Sequence, residues 1–252
     1  MDWLRDRWFY AALVLLRAQP MSPSELVGAL KATRAANIQI FGPHLVYPES
    51  VTRHLAGLTR GGLIEPGPLE GRRREYSATP LGAELLDSLN DATLYARARY
   101  EHLVRYSRQQ HHMDPDVVLR PADPLDEVMQ VRLLRRSTAL LFGVVFGPKW
   151  TFATMAALTW GSLRFSQIIA VVNRAAQASP DVVSGRLVDS ILAARLDTLQ
   201  HLGLVAWARE CPGRRGVYGL TDEGRALMVA LEPVARFGMA RDAEMTAAIK
   251  AM

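Results

Sequence analysis

Residues 58–64 read Leu-Thr-Arg-Gly-Gly-Leu-Ile, and residues 199–205 read Leu-Gln-His-Leu-Gly-Leu-Val. Further along, Tyr76-Ser77-Ala78-Thr79-Pro80-Leu81-Gly82 is echoed by Tyr218-Gly219-Leu220-Thr221-Asp222-Glu223-Gly224. Between the members of each pair lies an arginine cluster beside glycine: Gly71-Arg72-Arg73-Arg74 and Gly213-Arg214-Arg215-Gly216. Upstream, Ser24-Glu25-Leu26 corresponds to Ser166-Gln167-Ile168, and Trp8 to Trp150. The landmarks recur in one order at an offset of about 142 residues, with one-residue slips. A duplicated unit accounts for this; chance does not.

Each copy has the same physical reading. A helical stretch (Trp8 to Ala18; Trp150 to Thr159) leads through a turn to a short helix that opens at a serine. In the first copy, Ser22-Pro23-Ser24-Glu25 supplies capping residues and an early proline, as a helix N-terminus requires. A third helix follows. Its apolar residues Val51, Leu55 and Leu58, or Leu192, Leu196 and Leu199, fall at i, i+4, i+7 on one face. Gly62 and Gly203 end it, because a left-handed C-cap costs glycine least. Leu63-Ile64-Glu65 and Glu75-Tyr76-Ser77 then read as two strands joined by a cationic turn, as do Leu204-Val205-Ala206 and Val217-Tyr218-Gly219. The Thr-x-x-Gly that follows starts another helix: threonine caps, and glycine permits close approach to the hairpin. Three helices and a basic hairpin make a winged helix-turn-helix. The expected fold is therefore mainly α with small β-hairpin wings, two such domains standing in tandem. Residues 1–90 form the first, 91–146 a helical linker, and 147–252 the second with a C-terminal helix.

At 252 residues the chain suits two domains, and with 49% hydrophobic and 22% charged residues it can bury real cores. Thirty Lys and Arg against 25 acids give a net charge of +5, a weak pointer to an anionic partner. The placement of arginine says more, since guanidinium suits bidentate phosphate contacts. A third helix of this kind enters a major groove, and in the first copy its outward face offers Ser50, Thr52, Arg53 and His54 as hydrogen-bond donors. The second copy offers Ser190 and Arg195. Arg72, Arg73, Arg74, Arg214 and Arg215 on the wings would lie along the DNA backbone or in the minor groove. Double-stranded DNA is thus the expected partner, with affinity that falls steeply with salt.

Val51-Thr52-Arg53-His54-Leu55, ending at Gly-Leu-Ile-Glu, resembles the recognition helix of MarR-type regulators. Gly71 to Tyr76 with Thr79-Pro80-Leu81-Gly82 resembles the wing and following helix of PadR-type regulators. The second copy resembles the HxlR type from about residue 147 to 230, through Gly147-Pro148-Lys149-Trp150-Thr151, Arg164-Phe165-Ser166-Gln167-Ile168, Arg195-Leu196, Gly203-Leu204-Val205 and Tyr218-x-x-Thr221-x-x-Gly224. These resemblances imply a bacterial, usually homodimeric transcription factor, more a repressor than an activator, and responsive to a small molecule. The second copy departs from its pattern: Val188-Asp189-Ser190 stands where that type starts the helix with Ser-Pro-Lys, and Ala193-Ala194 where polar residues precede the arginine. That predicts a domain that reads bases poorly, while its wing arginines still grip backbone.

Ala83 to Gln110, free of glycine and proline, reads as one long helix; His111 to Pro124 reads as a linker, and helix returns from Leu125 to Phe146. Trp8, Phe142, Phe146, Trp150 and Trp160 are either core or the aromatic walls of an effector pocket for a small aromatic ligand. His111-His112 with Asp114 and Asp116 lacks the spacing of a metal site, and no cofactor is expected. The single cysteine, Cys211, excludes an intrachain disulfide and fits the cytoplasm; beside Arg209, Arg214 and Arg215 it is a candidate sensor thiol. The N-terminal segment fits a signal peptide poorly, and the apolar run Ser137 to Phe146 is too short to span a bilayer. No phosphate loop, zinc helix or nucleophile elbow is present, so an enzyme is not expected. The competing reading is a winged-helix module that binds protein or ligand, with DNA secondary.

Overall fold

A computed structural model describes residues 7–35, 46–70, 73–110, 137–138, 140–178, 185–208 and 216–250. It is mainly helical with two small antiparallel hairpins, an arrangement consistent with winged helices. In the first half, α1 (Arg7–Ala18), α2 (Pro23–Ala35) and α3 (Pro48–Arg60) precede β1 (Ile64–Glu70) and β2 (Arg73–Ala78). Then come α4 (Pro80–Ser88), α5 (Asn90–Ala98) and α6 (Tyr100–Gln110). The second half has a π-helical turn (Phe142–Phe146), α7 (Thr151–Leu158), α8 (Phe165–Ala178), α9 (Asp189–His201), β3 (Val205–Ala208), β4 (Val217–Leu220), α10 (Asp222–Ala230) and α11 (Glu232–Lys250). Buried apolar residues from both halves merge into one core.

A set of local contacts recurs in both halves. Leu63 N–H donates to the Leu58 carbonyl and Gly62 N–H to that of Thr59, closing α3 in a Schellman motif with Gly62 at φ +67°. Leu204 bonds Leu199 and Gly203 bonds Gln200 in the same way, with Gly203 also at φ +67°. Tyr76 exchanges both backbone hydrogen bonds with Met21, and Tyr218 does so with Leu163. Each half therefore lays a single residue ahead of its second helix along the hairpin as a third strand position. Glu25 caps α2 by accepting from the Ser22 N–H at 2.9 Å, while Gln167 accepts from Arg164 N–H at 2.8 Å.

Four expectations need correction. The stretch 83–110 is not one helix: it breaks at Leu89 and again at Arg99. Leu89 is fully buried and its N–H bonds the Leu86 carbonyl, so the chain turns there to seat a core side chain. The same break recurs at Leu231, between α10 and α11. The first hairpin is longer than expected, and Arg73 and Arg74 lie in β2 rather than in the turn. Its register slips by a bulge between Pro66 and Leu69. Finally, Trp150 does not begin α7; it precedes it with a left-handed backbone (φ 78°), unusual for a bulky residue and accompanied by burial of its ring. The linker expected at 111–124 and the helix expected from Leu125 to residue 136 lie outside the described residues.

Candidate nucleic-acid interface

Helix α3 separates its two faces cleanly. Pro48 occupies its first turn, where a missing N–H costs nothing, and Tyr47 enters in extended backbone. Val51, Leu55 and Leu58 are buried against the core. The other side presents Glu49, Thr52, Arg53, Ala56 and Arg60 to solvent, with Ser50 and His54 half-buried at its margin. Thr52 Oγ1 donates back to the Pro48 carbonyl at 3.0 Å, and Arg53 Nη2 donates to Ser50 Oγ at 3.4 Å. Those contacts orient Thr52 and Arg53 on the helix surface. Arg60 Nε donates to the Ala56 carbonyl at 3.2 Å at the helix end. His54 lines a hollow of about 10 Å³ with Trp8, Leu26 and Leu30, so part of its ring belongs to the core.

The hairpin beside α3 carries Arg74 exposed on β2, opposite Leu69, which is also exposed. The Arg73 backbone pairs with Glu70. Arg72 and the side chain of Arg73 lie outside the described residues. Glu65 and Glu75, with Pro20, Pro66 and Tyr76, line a cleft of about 550 Å³ on this hairpin. Its carboxylates would repel phosphate, which leaves the cationic end of the wing as the part suited to DNA.

Helix α9 buries Leu192, Leu196 and Leu199 in the same pattern. Asn173 fixes its approach from α8: its amide donates to the Leu187 carbonyl at 3.0 Å and accepts from the Leu187 N–H at 2.8 Å, all of it buried. The outward face differs in chemistry. Ser190, Ala193, Ala194, Asp197, Gln200 and His201 are exposed, and His201 Nδ1 lies 2.9 Å from the Asp197 carbonyl. Arg195 is half-buried, and its buried Nε makes no hydrogen bond among the described residues. In the second hairpin Trp207 lies across Gly216, where any Cβ would meet the indole at 2.1 Å. Arg214, Arg215 and Cys211 lie outside the described residues.

The aromatic residues expected around an effector fall in unlike environments. Trp8, Phe142 and Trp150 are buried, whereas Trp160 is 92% exposed in the turn between α7 and α8. Tyr10 stacks on Phe142 at 6.0 Å, joining α1 to the π-helical turn, and Lys149 lies over the Trp150 ring at 4.9 Å. The side chain of Phe146 lies outside the described residues. Among the described residues, no three His, Cys, Asp or Glu side chains group as metal ligands, and no helix is long and apolar enough to cross a membrane. His111, His112, Asp114 and Asp116 fall outside that description.

Sequence reasoning missed one cluster altogether. Tyr95 on α5 donates its hydroxyl to the Glu223 carbonyl at 3.4 Å, Arg99 lies over the Tyr95 ring, and Arg99 ion-pairs with the Glu223 carboxylate. Burial raises the Tyr95 pKa above its ordinary value of 10.0, opposed by the hydrogen bond and charge of Arg99. The signal lay in the 142-residue offset, which carries Arg99 onto Arg241.

No protein-family model matches the chain, and no curated protein matches it. A solved structure described as a transcriptional regulator of the MarR family, from Enterococcus faecalis V583, is similar over 50% of this chain and 98% of its own, at 22% identity and a TM-score of 0.35.

Proposed function

We propose that the chain is a cytoplasmic, DNA-binding transcription regulator built from two winged helix-turn-helix units. What carries this reading is α3: one face is locked into the core by Val51, Leu55 and Leu58, and the opposite face offers Thr52 and Arg53 in oriented positions beside a hairpin that exposes Arg74. Helices read major-groove base edges with side chains of this kind, and wing arginines hold phosphates. The regulatory form we assign is repression, relieved by a small aromatic effector. Because Trp8, Phe142 and Trp150 are buried, such a ligand would have to open a pocket rather than fill one. The homodimer that the family resemblance implies is replaced in this proposal by pairing within the chain.

The test is a titration against DNA from upstream of the protein's own gene at two salt concentrations. Arg72→Ala/Arg73→Ala/Arg74→Ala is compared with the unaltered chain. Loss of three phosphate contacts should lower the slope of log affinity against log salt by about 3. Equal, weak binding by both proteins would sink the reading. It would favour the second one, a protein-binding module, for which the exposed Trp160 and Trp207 of the second unit speak.

A further inference from the structure

The 142-residue offset carries α4 onto α10 and α5 onto the start of α11. Helix α5 packs on α10, and α11 packs on α4. Each contact is therefore the image of the other with the two halves exchanged. A repeat related by simple translation could not do this, because α11 would then need a third copy to pack against. Only a two-fold relation returns the second half to the first. The side chains agree. Arg99 at the end of α5 ion-pairs with Glu223 on α10, and Arg241 pairs with Glu84 on α4 at 2.9 Å. The two arginines stand at matched positions. The glutamates differ by three in register, one turn along the same helix face. Tyr95, beneath Arg99, corresponds to Phe237, which is buried.

We infer that one chain is a complete pseudo-dimer. The isologous interface that two copies of a single-domain regulator would make between chains is made here inside one chain. Its two third helices are then presented about an internal two-fold axis, but they are chemically unequal. Positions filled by Thr52 and Arg53 on α3 are filled by Ala193 and Ala194 on α9. The ligand that fits is a single DNA duplex with two unlike half-sites, taken by one chain. The half under α3 is read by its bases and the half under α9 is held by its backbone. The DNA half of this inference rests on the proposed function; the internal pairing does not.

Sedimentation equilibrium of the full chain over a hundredfold concentration range tests the pairing. A mass of 27.9 kDa throughout is expected, and a rise to twice that value overturns it. Arg241→Glu should lower the melting midpoint by about 2–4 °C, as should Arg99→Glu, each with recovery on adding Glu84→Arg or Glu223→Arg respectively. Absence of recovery in both swaps overturns the reciprocal interface. For the DNA, a duplex selected from random sequence is bound and its halves are scrambled one at a time. One scrambling should cost about ten- to a hundredfold in affinity and the other under about threefold, with one chain per duplex. Equal losses, or two chains per duplex, overturn the unequal pseudo-dimer. Failure to select any duplex overturns the functional reading, while the mass and charge-swap results still decide the pairing.

Discussion

The hydroxyl of Thr79 donates to the carbonyl oxygen of Gly62 at 2.6 Å. That hydroxyl oxygen in turn accepts from the Gly82 N–H at 3.1 Å, and the Thr79 amide donates to the Leu63 carbonyl at 3.0 Å. One threonine thus ties the end of α3, the start of β1 and the N-terminus of α4 together. Thr221 repeats this with Gly203 at 2.6 Å and Gly224 at 3.0 Å. Replacing Thr79 by valine keeps the shape and removes both hydroxyl bonds, which should cost about 1–2 kcal/mol. Thr221→Val should cost a similar amount, read as the shift in urea midpoint.

Gly82 sits where a Cβ would lie 2.1 Å from the Leu63 carbonyl oxygen, and Gly224 where it would lie 2.0 Å from that of Leu204. Backbone cannot step aside as a flexible side chain would. Gly82→Ala and Gly224→Ala should therefore each destabilise by about 1–3 kcal/mol or more, by prying the helix off the hairpin. Gly28, exposed inside α2 with nothing within 4 Å of where an added methyl would stand, is the control. There alanine should stabilise by about 0.5–1 kcal/mol, since helix interiors disfavour glycine. Thermal melts of the three variants check the opposite signs.

What the sequence made legible was local. The glycine stop of α3, the capping threonine and the i, i+4, i+7 stripe are set by residues within a few positions of one another, and each recurs at an offset of about 142. The break at Leu89 was not legible, because nothing in Asn90 or its neighbours forbids helix; burial of Leu89 does the turning. The length of the first hairpin was hidden by Pro66, Gly67 and Pro68, which read as loop. β1 tolerates these prolines because it is an edge strand, paired on one side only with β2. The ion pairs of Arg99 and Arg241 were invisible for a further reason: their partners are chosen by the two-fold packing of the halves, not by spacing along the chain.

Tyr95 provides a pH handle on that packing. Burial favours its neutral form and raises its pKa above 10.0, against the pull of Arg99. The folded state holds this proton more tightly than the unfolded chain does. The contribution is therefore fully present below about pH 10, where both states are protonated, and is lost as pH rises through the folded value. Tyr95→Phe should abolish that part of the alkaline loss. The check is the urea midpoint followed from about pH 8 to about pH 11: the variant should lose less stability than the unaltered chain across the upper half of that range. An unchanged slope would mean that Tyr95 titrates as it does in the unfolded chain.

The two third helices make opposite predictions for the same kind of substitution. Arg53 is exposed, and its side-chain bond to Ser50 is long, so the guanidinium is available for a base or phosphate. Arg53→Ala should weaken binding to a selected duplex by about ten- to a hundredfold while leaving the melting midpoint nearly unchanged. Arg195 is half-buried with its Nε enclosed, so its aliphatic stem is part of the packing under α9. Arg195→Ala should lower stability by about 1 kcal/mol and change affinity at high salt little. Ala194→Arg, which places a guanidinium at the position that Arg53 occupies in α3, should then strengthen binding and sharpen preference in the weaker half-site. Parallel affinity and melting measurements on the three variants separate reading from packing; a loss of base preference on Arg195→Ala would show that α9 reads DNA after all.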